Sequence, residues 1–148
     1  MYRYLIVLAL TVAPASLRGQ GGRSGGDLDQ AAERARRAWV RHDAVGLVAN
    51  SPRLLVQLPG ADPSVALGPA QAAALLADFF APAQEVETRV QAAREVEPGR
   101  GYVELQRQFR IAGTQNVRTQ SLLLGYRYDS SGWSLVEFRV VTLPDKDS

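Results

Sequence analysis

The chain contains no cysteine and a single histidine, His42. Without cysteine no disulfide can support the fold, even in an oxidising compartment, so stability has to come from a packed core. The same absence removes a lipid-anchored precursor, because no cysteine follows the N-terminal apolar run. One histidine, no cysteine and no clustered Asp/Glu pattern leave little to build a metal site from, and no metal or other cofactor is expected. Long hydrophobic runs are lacking too. The stretch from Leu5 to Ala13 falls far short of the roughly 20 apolar residues a helix needs to span a bilayer.

What is present is an ordinary globular balance. Hydrophobic residues make up 46% and charged residues 22% of 148 positions, enough for one domain with a real core. The segment "MYRYLIVLALTVAPASLRGQ" starts with Arg3, runs apolar, and exits through small residues. That pattern describes a cleavable secretory signal, cut after Ala15 or Gly19, with an uncleaved anchor as the competing reading. The expected division is a signal over 1–19, a flexible linker over 20–26, a folded domain over 27–142 and a tail over 143–148. The protein is then exported, periplasmic or secreted, with no membrane contact once the signal is gone. Cleavage also settles the charge. The 17 basic and 15 acidic residues lose Arg3 and Arg18 and no acid, which leaves fifteen against fifteen. A near-neutral chain carries no electrostatic footprint for nucleic acid.

After the glycine-rich linker, Asp27 or Asp29 can cap a helix on which Leu28, Ala31, Ala35, Ala38 and Trp39 share a face. Asp43 can cap a short second helix, "AVGLVAN", that Ser51-Pro52 ends. "RLLVQLPG" reads as a short strand and "VALG" as a second. "PAQAAALLADFFAP" opens with Pro69 in a first turn and closes at Pro82, a third helix. Residues 85–96, 101–112, 116–128 and 132–142 all alternate with the period of strands, separated by "EPGR", "AGTQN" and "DSSG". The sum is an α+β domain in which a curved antiparallel sheet wraps around the N-terminal helices and a third helix.

The turns set an expected register. A tight turn at Pro98-Gly99 puts Val86, Val90 and Ala92 on one face with Leu105, Phe109 and Ile111. Leu122, Leu124, Tyr126 and Tyr128 join them. A bulge at Gly132 adds Val136, Phe138 and Val140 to this inner face. Leu123, Trp133 and Leu135 are then left outside as interface candidates, for a homodimer, for a docked partner or under a terminal segment. Without the bulge the two sets of the last strand exchange faces.

This order of elements resembles the nuclear transport factor 2-like superfamily, the cone-shaped, cystatin-like α+β fold. "WVRHDAVGLVAN" is similar to the helix break and short helix of these domains, with Asp43 at the usual acidic position. "GPAQAAALLADFF" is similar to their third helix and "LLLGYRYDSSGWSLVEFRV" to their closing hairpin, so the likeness covers roughly 27–142. The Phe79-Phe80 helix end and the export signal look most like an uncharacterised branch of exported bacterial proteins. The resemblance implies a helix-lined cavity inside a curved sheet, often in a dimer. The superfamily hosts enzymes, ligand binders and accessory domains alike, so the fold does not choose among them.

Few residues offer chemistry. His42 could face the cavity as a general base or simply cap the end of the first helix. Arg107 falls inside the apolar row of "YVELQRQFRI". Its stem can pack while its head reaches the cavity mouth, the preferred reading, or it can be buried against an acid or an anionic ligand. Tyr126 could act with it. Phe79 and Phe80 belong to the core or to an apolar ligand box. Enzymes of the superfamily place an Asp/His, an Asp-Arg-Asp or a Tyr/Asp set in the cavity, and the expected inner face here has no Asp or Glu. Asp78 is expected to face water. The residues therefore favour non-enzymatic binding of a small apolar or anionic ligand or of a protein partner. A small-molecule isomerase, dehydratase or hydrolase, with Arg107 and Tyr126 polarising the substrate and His42 as base, is the alternative.

Overall fold

The computed structural model describes residues 22–144. The expected signal, 1–19, lies outside them. The helices are α1 (Gly22–Val40), α2 (Ala44–Val48) and α3 (Pro69–Phe80). The strands are β1 (Leu55–Gln57), β2 (Ala83–Glu97), β3 (Arg100–Ile111), β4 (Val117–Asp129) and β5 (Gly132–Thr142). They form one sheet in the order β1-β5-β4-β3-β2, antiparallel except for the parallel pair β1·β5. The curved, unclosed sheet packs its inner face on the helices, which is the α+β arrangement expected.

α1 buries Leu28, Ala31, Ala32, Ala35 and Trp39, a 3.6-residue stripe whose alanines let the helix lie close to the sheet. It begins at Gly22, so the linker expected over 20–26 is helical from Gly22 onward and Asp27 lies inside the helix. Once a helix is nucleated on a buried stripe, each added residue gains a hydrogen bond, which offsets the poor helix propensity of glycine. The helix ends in a Schellman motif. Asp43 N–H donates to the Ala38 carbonyl and His42 N–H to that of Trp39, with His42 left-handed at φ 54°. Asp43 Oδ1 then accepts from Gly46 N–H at 2.9 Å and caps α2. A Cβ at Gly46 would run into that carboxylate. "VALG" contributes only the bridge of Leu67 to Leu54.

β2 is 15 residues long and faces a 12-residue β3. The three surplus residues are bulges at Val86, Gln91 and Val96, and each reverses the facing of the residues after it. The inner face of β2 is therefore Glu85, Thr88, Val90 and Ala93, paired with Phe109, Arg107, Leu105 and Val103. Val86, expected inside, is 45% exposed, and Ala92 pairs with the outward Glu104. At the last hairpin Asp129 pairs with Gly132, and the bulge sits at Val136 instead, between Gly125↔Glu137 and Tyr126↔Leu135. That position turns Trp133 and Leu135 inward while keeping Phe138 and Val140 inside; all four are buried. Burying two more large apolar side chains is worth several kcal/mol at ~25 cal/mol per Å², which is the reason the bulge sits there. Trp39 centres the core, its ring stacked 5.5 Å from Phe138 and edge-on to Phe80 at 4.5 Å.

Candidate functional site

Arg107 stands on the inner face of β3 between Leu105 and Phe109 and is 1% exposed. Its head does not reach solvent, so the expected snorkelling arrangement is corrected to a buried ion pair. The partner is Glu85, which the Val86 bulge turns inward. Arg107 Nη2 lies 2.6 Å from Glu85 Oε1, and Nε donates to Oε2 at 3.2 Å. Nη1 donates to Gln120 Oε1 at 3.3 Å, and Gln120 Nε2 donates in turn to Thr142 Oγ1 at 3.3 Å. The Nη2 contact is close but not aligned along an N–H, so that donor is left without a proper hydrogen bond. Aromatic faces complete the shell: the guanidinium carbon is 3.9 Å from the Phe109 ring centre and 4.8 Å from that of Trp39. Burial lowers the arginine's pKa, and the Glu85 charge and hydrogen bond oppose that. An arginine starts high enough to stay charged regardless.

His42 extends this cluster outward. Its Nε2 is 3.2 Å from Glu85 Oε1, and its ring stacks on Phe80 at 4.9 Å, almost coplanar at 6°. The left-handed backbone at the end of α1 aims the ring there. His42 thus shares the Glu85 Oε1 atom with Arg107, and it lines neither of the two cavities described below. Phe80, 1% exposed, lies in the core against Trp39 and His42 and lines neither of those two cavities.

A cavity of about 530 Å³ opens between the end of α3, the loop after β1, and β3–β5. Phe79, Pro82, Phe109 and Ile111 give it apolar walls, while Arg107, Arg118, Gln120 and Thr142 bring polar groups. Asp78, expected to face water, is exposed and borders this cavity. Among the described residues no carboxylate is ion-paired with Arg118. Tyr126 is elsewhere. It lines a second cavity of about 270 Å³ between α1, α2 and the β4–β5 hairpin, so the expected Arg107–Tyr126 pair does not form. The residue pairing of β3 and β4 places Tyr126 opposite Gly101 at one end of the sheet and Arg107 opposite Gln120 towards the other. Burial raises the Tyr126 phenol pKa well above its ordinary value, with the charge of Arg34 pulling the other way.

Of the interface candidates, Trp133 and Leu135 belong to the core, turned inward by the Val136 bulge. Leu123 is half-buried on the outer face, beside Glu104 and Arg139. Glu85 and Gln120 were not expected from the sequence. The signal that points to Glu85 is the demand itself: an arginine in an apolar row needs an acid, and Glu85 is one bulge away from facing it. Among the described residues no group of three or more His, Asp or Glu side chains is placed to hold a metal, and no helix is long and apolar enough to cross a membrane.

No protein-family description and no curated protein match the chain. Solved structures do. A ketosteroid isomerase-like protein from Erwinia carotovora atroseptica superposes with a TM-score of 0.69 at 14% identity, covering 84% of this chain and 99% of that one. A domain of unknown function with a cystatin-like fold from Nostoc punctiforme gives 0.66 at 14%, over 84% and 80% of the two chains. A putative dehydratase of the NTF2-like family from Streptomyces avermitilis gives 0.64 at 12%, over 82% and 96%. Helices followed by a curved five-stranded sheet, together with these superpositions, identify the chain's fold as the nuclear transport factor 2-like, cystatin-like fold.

Proposed function

We propose that this chain is an exported binding domain whose 530 Å³ cavity takes a small anionic ligand with an apolar body. The observation that carries the reading is Arg118, a cation on the cavity wall that no carboxylate answers among the described residues, next to the buried Arg107–Glu85 pair. A cavity of this size, mostly apolar with a few convergent polar groups, is what small-molecule sites look like. The acid–base groups of the cluster are engaged with each other, since Glu85 holds both Arg107 and His42. Export rests on Arg3, the apolar run from Leu5 to Ala13 and the small residues behind it.

An isomerase, dehydratase or hydrolase acting in the same cavity is the second reading. It draws on the ketosteroid isomerase-like and dehydratase-like neighbours and on Asp78, the one carboxylate that borders the cavity.

The test is native mass spectrometry of the chain purified from its source, followed by calorimetry with short- and medium-chain carboxylates. A retained anion, or carboxylate binding that Arg118→Ala weakens several-fold, supports binding. No affinity for any of them, or affinity indifferent to Arg118, overturns it. Turnover of a ligand that Asp78→Asn abolishes in a folded variant transfers the conclusion to the second reading. N-terminal sequencing of the exported material checks cleavage after Ala15 or Gly19.

A further inference from the structure

The smaller cavity plays no part in that reading. It shares no lining residue with the larger one and is built from α1, α2 and the β4–β5 hairpin. Two hydroxyl residues line it. Ser51 is 4% exposed, and its Oγ has no hydrogen-bond partner among the described residues. A buried hydroxyl kept without a partner calls for an explanation, and a bound group is one. Tyr126 is 7% exposed and lines the same space. Its burial keeps the phenol protonated, so it can donate as well as accept.

The charge on the lining of this space has one sign. Arg34 is the only charged residue among those lining it, and it is near enough for its charge to act on the Tyr126 phenol. The Asp43 carboxylate next door is committed to the Gly46 N–H. Asn50 adds an amide, and the rest of the wall is mostly apolar, chiefly Leu47, Trp133 and Leu135.

From this geometry we infer that the cavity is a second ligand site. It takes a small carboxylate whose anionic end meets Arg34, Tyr126 and Ser51, with its body on Leu47, Trp133 and Leu135. Phosphate fits less well, because one arginine faces the site and most of the wall is apolar. At about 270 Å³ the space suits a single ring or a short chain.

The experiment is an amide-resolved NMR titration of the full chain with benzoate, with benzyl alcohol and inorganic phosphate as separate arms. The expected result is saturable shifts at Gly46, Ser51, Tyr126 and Trp133 with benzoate and much weaker binding of the other two. Ser51→Ala and Tyr126→Phe should each weaken benzoate about tenfold, the usual effect of losing one hydrogen bond to a charged group. Ser51 Oγ holds nothing in the fold, so Ser51→Ala keeps the test valid if Tyr126→Phe proves unstable. Shifts confined to the Arg107–Gln120 cavity, benzyl alcohol binding as well as benzoate, a preference for phosphate, or variants that bind unchanged would each overturn the inference. Because the two cavities report through different amides, failure here is separable from failure of the larger site.

Discussion

Glu85 meets the Arg107 guanidinium with both carboxylate oxygens, Oε1 at 2.6 Å from Nη2 and Oε2 at 3.2 Å from Nε, and neither side chain is more than 6% exposed. The two come from adjacent strands, Arg107 paired with Thr88 and Glu85 with Phe109, so the contact runs diagonally across the ladder. It exists only because Val86 is an extra residue. Removing that bulge would turn Glu85 to solvent and leave a cation inside an aromatic box.

A buried pair is costly to half-remove. Glu85→Gln leaves Arg107 charged and unanswered, and we expect a loss of about 3–5 kcal/mol in urea denaturation. The double variant Glu85→Gln with Arg107→Met should recover most of that loss, since neither partner is then charged. A Glu85→Gln variant within about 1 kcal/mol of the parent would mean that water reaches the guanidinium and that the pair is not sealed.

His42 is the one non-glycine residue with positive φ among the described residues. Histidine tolerates that conformation better than a β-branched residue does. Replacing it with glycine and with valine removes the ring in both cases, so the difference between the two variants isolates the backbone. Valine should be less stable than glycine by about 1–2 kcal/mol, the cost of a side chain in the left-handed region. Equal denaturation midpoints for the two would show that the end of α1 relaxes away from the Schellman geometry.

These two sites mark where the sequence was legible and where it was not. Leu28, Ala31, Ala35 and Trp39 recur at helical spacing, Pro69 and Pro82 bracket α3, and four alternating runs mark β2 to β5; each signal is local, and each element formed. The fold emerged from them. Facing did not, because an alternating pattern gives the right face only until the first bulge. Val86, Gln91, Val96 and Val136 are unremarkable strand residues, and the one local marker is Gly125, which sits opposite the Val136 bulge on the partner strand. The bulges are chosen by distant needs, an acid for Arg107 in one case and cover for Trp133 and Leu135 in the other. That is why Glu85 was missed and why Trp133 and Leu135 were expected outside.

Gly101 shows a tight fit at the opposite end of β3 from Arg107. A Cβ there would lie 2.9 Å from both Leu28 δ-carbons and 3.1 Å from Trp133 Cζ3. Leu28 is 1% exposed and has little room to yield. Gly101→Ala should therefore cost about 1–3 kcal/mol through overpacking. Leu28→Ala opens the space the methyl needs, so the double variant should be less unstable than the two single losses added together. Simple additivity in thermal or urea melts would place the strain elsewhere.

The surface of α1 supplies a pH test with a defined sign. Arg36 donates to both oxygens of Glu33, Nη2 to Oε1 at 2.6 Å and Nε to Oε2 at 2.9 Å, and Arg37 adds a bond at 3.3 Å. The Arg36 hydrogen bonds lead in lowering the Glu33 pKa to about 2, with burial opposing them and the Arg37 hydrogen bond and both arginine charges adding to them. The unfolded chain should titrate near 4.3. A depressed folded value means that the contribution is present above the unfolded pKa and is lost as pH falls through the folded one. Exposure limits it: a solvated pair of this kind is worth no more than about 1 kcal/mol. Glu33→Gln should therefore be slightly less stable than the parent at neutral pH, and the gap should close between about pH 4.3 and about pH 2. High salt should narrow it at neutral pH as well, because exposed charges are screened. A gap that persists unchanged at pH 2 would trace the loss to the glutamine side chain on the helix and not to the ion pair.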